Sequence, residues 1–370
     1  MSSALGPHNP SLLFNLLPYK PEPTGLSRYV QRLLAAWPEQ QLPQQLCLSP
    51  EGSAVLTRSR ELPSEQRSAW MRRLQAQALV QHAVPVRRLL GNEQPDRIYS
   101  PYTDWLSALP DVPQVITCHD LTPLHVSNSR RAYWRSRVWL PLHLERARLV
   151  VAISRSVADQ LVETGLPPQR IAVVLNGVEP VADPISAPTG QHCVVLARHA
   201  RNKNVALALD GFAAFLAREP NWPGQLVVVG RADRCTPALL RREQERGLVG
   251  RVRWLDRLGE PELQNLLRSA FCLISPSLME GFDYPLLEAQ ALGLPTLASR
   301  IPVHEELHRE AALLFEPQDR GSNMAEQLLR LSREPALWRQ LSQAGLRNAA
   351  AHTSKRQARE LHQLLQGPLP

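Results

Sequence analysis

Lysine is almost missing from this chain. Lys20, Lys203 and Lys355 are the only three in 370 residues, so the formal charge of +8 is carried by arginine. A basic balance invites nucleic acid, an anionic membrane surface or phosphorylated small molecules as partners, without choosing among them. No apolar run reaches the roughly 18 residues a membrane-spanning helix needs. The opening residues lack the basic stretch and apolar run of a secretion signal. Cys47, Cys118, Cys193, Cys235 and Cys272 are odd in number, scattered and never spaced C-x-x-C. That excludes a disulfide framework or a cysteine zinc site and places the protein in a reducing cytoplasm. There is no Asp-x-Asp, and no His, Cys and Asp cluster at metal-ligand spacing, so no metal is expected. The lack of G-x-G-x-x-G weighs against a nicotinamide oxidoreductase. Aromatic residues make up only 5%, and the arginines are dispersed, so nucleic acid is not expected as a partner.

What is present is an ordinary folding composition, 44% apolar and 21% charged. The length favours two domains. Short, continuously apolar runs recur at 11–17, 112–118, 149–154, 171–176, 192–197, 225–230, 252–255, 272–277 and 294–299. Amphipathic stretches lie between them at 25–37, 203–218, 260–269 and 321–333. Buried strands alternating with helices specify an α/β fold, doubly wound, with parallel sheets covered on both faces. The segment 179–190, EPVADPISAPTG, concentrates proline and small residues and reads as a linker. It separates an N-terminal domain, 1–178, from a C-terminal domain, 191–350. Residues from about 336 to 366 read as helices without a further strand, and 351–370 are expected to pack back on the N-terminal domain. In doubly wound folds ligands bind beyond the carboxyl ends of the strands, so the motifs with chemistry should sit in strand-to-helix loops.

The strongest of these is Glu280-Gly281-Phe282-Asp283-Tyr284-Pro285-Leu286-Leu287-Glu288. It follows an apolar strand and opens a helix near Pro285, where proline's missing N–H costs nothing. Free N–H groups and the positive end of the helix dipole suit a diphosphate there. Glu280 and Glu288 bracket the site and can accept hydrogen bonds from sugar and ribose hydroxyls. In VVLARHARNKN, Arg198 and Lys203 follow a strand, two cations able to neutralise a diphosphate. Thr24-Gly25-Leu26-Ser27 links the first strand to the first helix, with Gly25 permitting close backbone approach. VITCHDLTPL sets His119 and Asp120 at a strand end, where a lone histidine is more often structural than catalytic.

EGFDYPLLEA resembles the E-G-F-G-x-P-x-x-E-A signature of the retaining glycosyltransferases of family 4, which have the GT-B fold of two Rossmann-like domains facing across a cleft. The resemblance runs over nearly the whole chain. It implies that Glu280 contacts the donor sugar, that Glu288 holds the ribose, and that the N–H groups of Leu286 and Leu287 bind the diphosphate. Gly281, Phe282, Asp283 and Tyr284 complete the donor loop. It further implies that Arg198 and Lys203 clamp the phosphates, that Gly25 lies near the donor, and that His119 stands against the donor sugar. The implied activity is metal-independent transfer of a hexose-type sugar, with retention, from a nucleotide-diphosphate sugar to a glycan or lipid-linked acceptor. That sugar is a co-substrate, and no cofactor is implied. Asp283 replaces the signature's glycine; its carboxylate could cap the helix, competing with phosphate, or read a sugar hydroxyl.

Residues 130–149 mix two tryptophans and four leucines with six arginines, and 66–75 is a smaller version. Such segments either lie on anionic lipid, which would put the protein peripherally on the inner face of the membrane, or pack on a sheet with a solvated basic face. Two rival functions remain open: a non-catalytic nucleotide-sugar-binding homologue, and a nucleotide-sugar epimerase on the same fold.

Overall fold

The computed structural model describes residues 10–19, 24–38, 43–47, 59–61, 83–91, 94–126 and 130–370. The basic segment 66–75 lies outside them. The chain divides into two compact units. Met1–Leu121, Arg131–Asn176 and Ser354–Pro370 make the first; Thr122–Arg130 and Gly177–Thr353 make the second.

In the first unit seven strands form one sheet: β1 (Leu12–Asn15), β2 (Gln44–Cys47), β3 (Ser59–Glu61), β4 (Arg97–Ser100), β5 (Gln114–Cys118), β6 (Leu149–Ala152) and β7 (Ile171–Val173). Their order is β3-β2-β1-β4-β5-β6-β7, and every pairing is parallel. The second unit carries six more: β8 (His192–Leu196), β9 (Leu226–Val229), β10 (Val252–Leu255), β11 (Ala270–Ser275), β12 (Thr296–Ser299) and β13 (Ala312–Phe315). Their order is β10-β9-β8-β11-β12-β13, again all parallel. The α/β, doubly wound reading is thus the observed architecture, and each of the nine apolar runs contains a strand. The sequence reading did not extend to β2, β3, β4 and β13.

The strands form where it is easiest to bury both faces: β6 (LVVA), β9 (LVVV) and β11 (AFCLIS) have every residue buried. Helices cover them by burying one stripe. Gly25–Ala35 is capped by the Thr24 hydroxyl, which accepts from the Ser27 N–H, and it buries Tyr29, Val30, Leu33 and Leu34. The last helix, Ser354–Gln366, belongs to the first unit. Its Ala358, Leu361 and Leu365 join Phe14, Tyr29 and Trp37 in that core. The Arg97 guanidinium fastens its end by donating to the carbonyls of Leu365 at 2.6 Å and Gly367 at 2.5 Å. In the second unit Trp338, on helix Pro335–Ala351, is fully buried and donates its indole N–H to the Phe271 carbonyl at 2.9 Å.

Residues 179–190 carry no helix or strand, yet they are fastened to the second unit. Ile185 is buried in its core, and the Ile185 N–H donates to the Leu292 carbonyl at 2.8 Å. In each sheet the strand order reverses once, between β1 and β4 and between β8 and β11. At such switch points the loops diverge to opposite faces and leave a crevice at the strands' carboxyl ends.

Candidate active site

The switch point of the second unit gathers the charged residues. After β8 the chain makes one 3-10 turn, Arg201–Lys203, passes through Asn204 at φ +47°, and enters helix Val205–Leu216. Lys203 therefore stands just ahead of the helix. After β11 the chain runs through residues 276–283 into helix Tyr284–Ala291. The two loops are joined by the Leu278 N–H donating to the Asn202 carbonyl at 2.8 Å. That bond brings the Lys203 ammonium to the Glu280 carboxylate, Nζ to Oε1, at 2.6 Å. Only 12% of the Glu280 side chain and 24% of the Lys203 side chain is exposed. Burial pushes the Glu280 carboxyl upward, the Lys203 charge and hydrogen bond pull it down, and the negative charge of Asp283 pushes it up again.

Arg198 follows β8 as expected but stands apart from that pair. Its side chain is 53% exposed and lies 3.6 Å from Asp233. So loose a surface pair is worth little, and the guanidinium can leave it at small cost. Gly230, at the end of β9, is the contact that holds this loop. A Cβ there would fall 2.0 Å from the Ala197 carbonyl oxygen and 2.9 Å from the Arg198 nitrogen.

Helix Tyr284–Ala291 begins at Tyr284, with Pro285 in its first turn. Leu286 and Leu287 are buried, and the Leu286 N–H donates to the Asp283 carbonyl at 3.1 Å. A phosphate oxygen at that N–H must share it. Gly281 and Phe282 are buried, Phe282 lies against Tyr284 with ring centroids 5.2 Å apart, and Glu288 is half-buried one turn into the helix.

Asp283 corrects the expectation that its carboxylate caps the helix. It sits at φ +69°, a conformation that glycine adopts freely and Asp and Asn more readily than other residues. That requirement accounts for the glycine of the signature. The side chain makes no cap; it turns inward and is 2% exposed. Its Oδ2 accepts from the Ser275 hydroxyl at 2.5 Å and from His304 Nε2 at 2.9 Å. Burial would raise this carboxyl, but the His304 bond, the charges of Lys203 and His304 and the Ser275 bond together hold it well below the usual carboxylate range. His304 and Ser275 were not singled out in the sequence. They lie in apolar surroundings and match no motif, so only the fold reveals them.

The first unit has its own switch point. Gly25 opens the helix after β1, and a Cβ on it would meet nothing within 4 Å. His119 follows β5, half-buried, with Nε2 at 2.7 Å from the Pro101 carbonyl, so that nitrogen is the donor. Its ring meets Tyr29 edge-on, centroids 4.6 Å apart. Burial lowers the His119 imidazole to about 4, which keeps it neutral near pH 7. The turn dipeptide Asn176-Gly177 is buried, with Asn176 accepting from Gln357 at 3.2 Å. Among the described residues, no group of three or more His, Cys, Asp or Glu converges as metal ligands would, and no helix is long and apolar enough to cross a membrane.

Known proteins match this chain throughout. A model described as Glycosyltransferase Family 4 matches residues 23–181, and one described as Glycosyl transferases group 1 matches residues 190–334. The O-antigen chain mannosyltransferase RfbU of Salmonella typhimurium is 26% identical over 56% of this chain and 58% of its own length. The GDP-mannose:cellobiosyl-diphosphopolyprenol alpha-mannosyltransferase of Xanthomonas campestris is 30% identical over 44% of this chain and 43% of its own. The chain thus spans about half the length of these curated relatives. Among solved structures, Anabaena HepE in complex with UDP and glucose superposes with a TM-score of 0.74 at 16% identity, covering 96% of this chain and 99% of that one. The sucrose-phosphate synthase of Thermosynechococcus elongatus superposes with a TM-score of 0.73 at 20% identity, over 96% and 98%. Two doubly wound units of the same strand order, both matched by these models, place the chain in glycosyltransferase family 4, with the GT-B fold.

Proposed function

We propose that this protein transfers a hexose-type sugar from a nucleotide-diphosphate sugar to a glycan or lipid-linked acceptor, with retention of configuration and without a metal. The Lys203–Glu280 pair carries the reading. A strand-end cation and a buried carboxylate 2.6 Å apart, at the switch point of a doubly wound sheet, suit a leaving diphosphate beside a sugar that becomes cationic. Lys203 gives one of its N–H donors to Glu280, which keeps the carboxylate beside the cation that a phosphate would meet. Arg198 swings from Asp233 to the same diphosphate, and the N–H groups of Leu286 and Leu287 at the helix start receive its oxygens. Glu288 holds the ribose. Gly281, Phe282, Asp283 and Tyr284 shape the loop around the donor.

In the reaction the bond from the anomeric carbon to the diphosphate oxygen breaks, and the acceptor hydroxyl forms its bond on the same face. The departing phosphate oxygen takes the acceptor's proton. Glu280 orients the sugar and stabilises positive charge at the anomeric carbon. His119 contacts the donor sugar as a neutral ring, and Gly25 leaves room for the donor. The GDP-mannose and lipid diphosphate in the name of the Xanthomonas relative, and the O-antigen chain in that of the Salmonella one, support a mannosyl donor and a lipid-linked acceptor. Such an acceptor suits peripheral contact with an anionic membrane.

Release of nucleoside diphosphate from a panel of nucleotide sugars tests the proposal. One donor is expected to turn over, and Lys203→Ala and Glu280→Ala are expected to cut release by at least about 10²–10³-fold while the protein stays folded. Near-native release in either variant overturns the assignment.

A further inference from the structure

Behind the Lys203–Glu280 pair lies a second ion pair with no part in the reaction as written. His304, on helix Pro302–His308, is completely buried. Its Nδ1 lies 2.8 Å from the Ser299 carbonyl and its Nε2 lies 2.9 Å from the Asp283 carboxylate. A carbonyl and a carboxylate can only accept, so both ring nitrogens donate and the ring is an imidazolium. Asp283 is three residues from Glu280 on the same loop. Its Oδ2 also takes the Ser275 hydroxyl at the end of β11, while the Ser299 hydroxyl at the end of β12 donates to the Ser277 carbonyl at 2.5 Å. The loop that carries Glu280 is thereby tied to two strand ends and one helix.

Stability alone is a poor reason for this pair. Buried ion pairs seldom outperform apolar packing, because desolvation consumes most of the attraction. The backbone itself asks only for a residue tolerant of positive φ, which glycine satisfies. What the pair adds is charge beside a working carboxylate. Glu280 faces Lys203 and Asp283; Asp283 faces His304 and Lys203. His308, whose ring centroid is 6.1 Å from that of His304, is lowered to about 3 by burial and the neighbouring His304 charge, and so stays neutral.

We propose that His304 and Asp283 are positioning residues for Glu280: the pair holds the Glu280 loop, and the imidazolium offsets the Asp283 charge beside that carboxylate. This inference rests on the reading of Glu280 as the carboxylate at the donor sugar, where the charged form is the active one.

The test is the pH dependence of nucleoside-diphosphate release. His304→Gln strips the positive charge and leaves Asp283 uncompensated, so the acid limb of kcat should move up by about one pH unit, with KM for the donor little changed. Asp283→Asn keeps the shape, tolerates positive φ and still accepts from His304, and its acid limb should move down. A purely structural pair would lower the melting temperature of both variants without displacing either limb, and that result overturns the inference. If His304→Gln fails to fold, the direction of the Asp283→Asn limb decides alone. A native protein that turns over no donor removes the reading of Glu280 and this inference with it. Turnover in the native protein with both limbs unmoved removes this inference only.

Discussion

The two switch points share a strand order and differ in chemistry. The loops after β8 and β11 bring ions together: Lys203 with Glu280, Asp283 with His304. At the corresponding edge of the first unit neutral contacts prevail, and the buried Asp104, 3.7 Å from His143, has its carboxyl pushed up to about 7 by burial. Asn15 donates to the Ser100 hydroxyl at 2.9 Å, Tyr99 bridges Tyr29 and Thr117, and His119 is kept uncharged by burial. Topology places a crevice in both units, but side chains decide what each can hold. On the proposed reading, charge suits the half that grips a diphosphate and stabilises its departure. A neutral, hydrogen-bonding surface suits hydroxyl-bearing sugars, whose recognition needs orientation more than field.

The sharpest way to break this contrast is to remove one group from each side. Lys203→Ala leaves Glu280 without its cation and should cut turnover on the order of 10²–10³-fold, the cost of losing a preorganised charge at the leaving group. His119→Ala removes one neutral hydrogen-bonding group and should cost only about tenfold. Steady-state release of nucleoside diphosphate measures both, and equal losses would abolish the distinction.

An effect between those two is expected from Gly230→Ala. The added methyl would sit 2.0 Å from the Ala197 carbonyl oxygen, so the backbone leading to Arg198 must move. Because Arg198 is exposed and loosely paired, a shift of about 1 Å should weaken the clamp and lower kcat by up to about 10²-fold while the unit stays folded. Circular dichroism with turnover checks this. Unchanged kcat would mean that Arg198 has no work at the phosphates.

Acid offers a third test, with a sign set by burial. Burial holds both His119, at about 4, and His308, at about 3, below the ordinary histidine value of 6.5. The unfolded chain therefore binds protons that the folded chain refuses. Stability is full above about pH 6.5 and declines as pH falls toward the folded values. Melting temperatures at pH 7.5 and 5.0 should differ for the native protein and differ less for His119→Gln; an equal pH dependence in that variant would show that His119 is not held neutral by the fold.

Legibility in the sequence followed the same divide. Strands buried on both faces announce themselves as apolar runs, which is why β5, β6, β8, β9 and β11 could be read directly. β2 (QQLC), β3 (SRE) and β4 (RIYS) could not, because pairing in the sheet, rather than composition, makes them strands. Glu280 and Lys203 stood out through their motif and through the rarity of lysine. His304 did not. It lies 21 residues from Asp283 in sequence, and only the packing of helix Pro302–His308 joins them. The expected helix cap by Asp283 failed for a local reason: at positive φ its side chain leaves the helix axis and enters the interior.

The finest probe of the contrast is a single oxygen in the first unit. The Tyr99 hydroxyl lies 2.7 Å from that of Tyr29 and 2.6 Å from that of Thr117, all three buried. Tyr99→Phe removes a buried hydroxyl that lies against both Tyr29 and Thr117, at a cost of about 1–3 kcal/mol. Tyr29→Phe removes a hydroxyl that interacts with Tyr99, Thr117 and Gln357 and should cost a similar amount, about 1–3 kcal/mol. Neither change alters charge, and the ring that meets His119 edge-on remains in both. Both melting temperatures should therefore fall below that of the native protein, while turnover well below the transition stays within about twofold of native. A larger loss of turnover in Tyr29→Phe would show that this hydroxyl serves the reaction through His119, and the first unit's edge would then be catalytic rather than a neutral support.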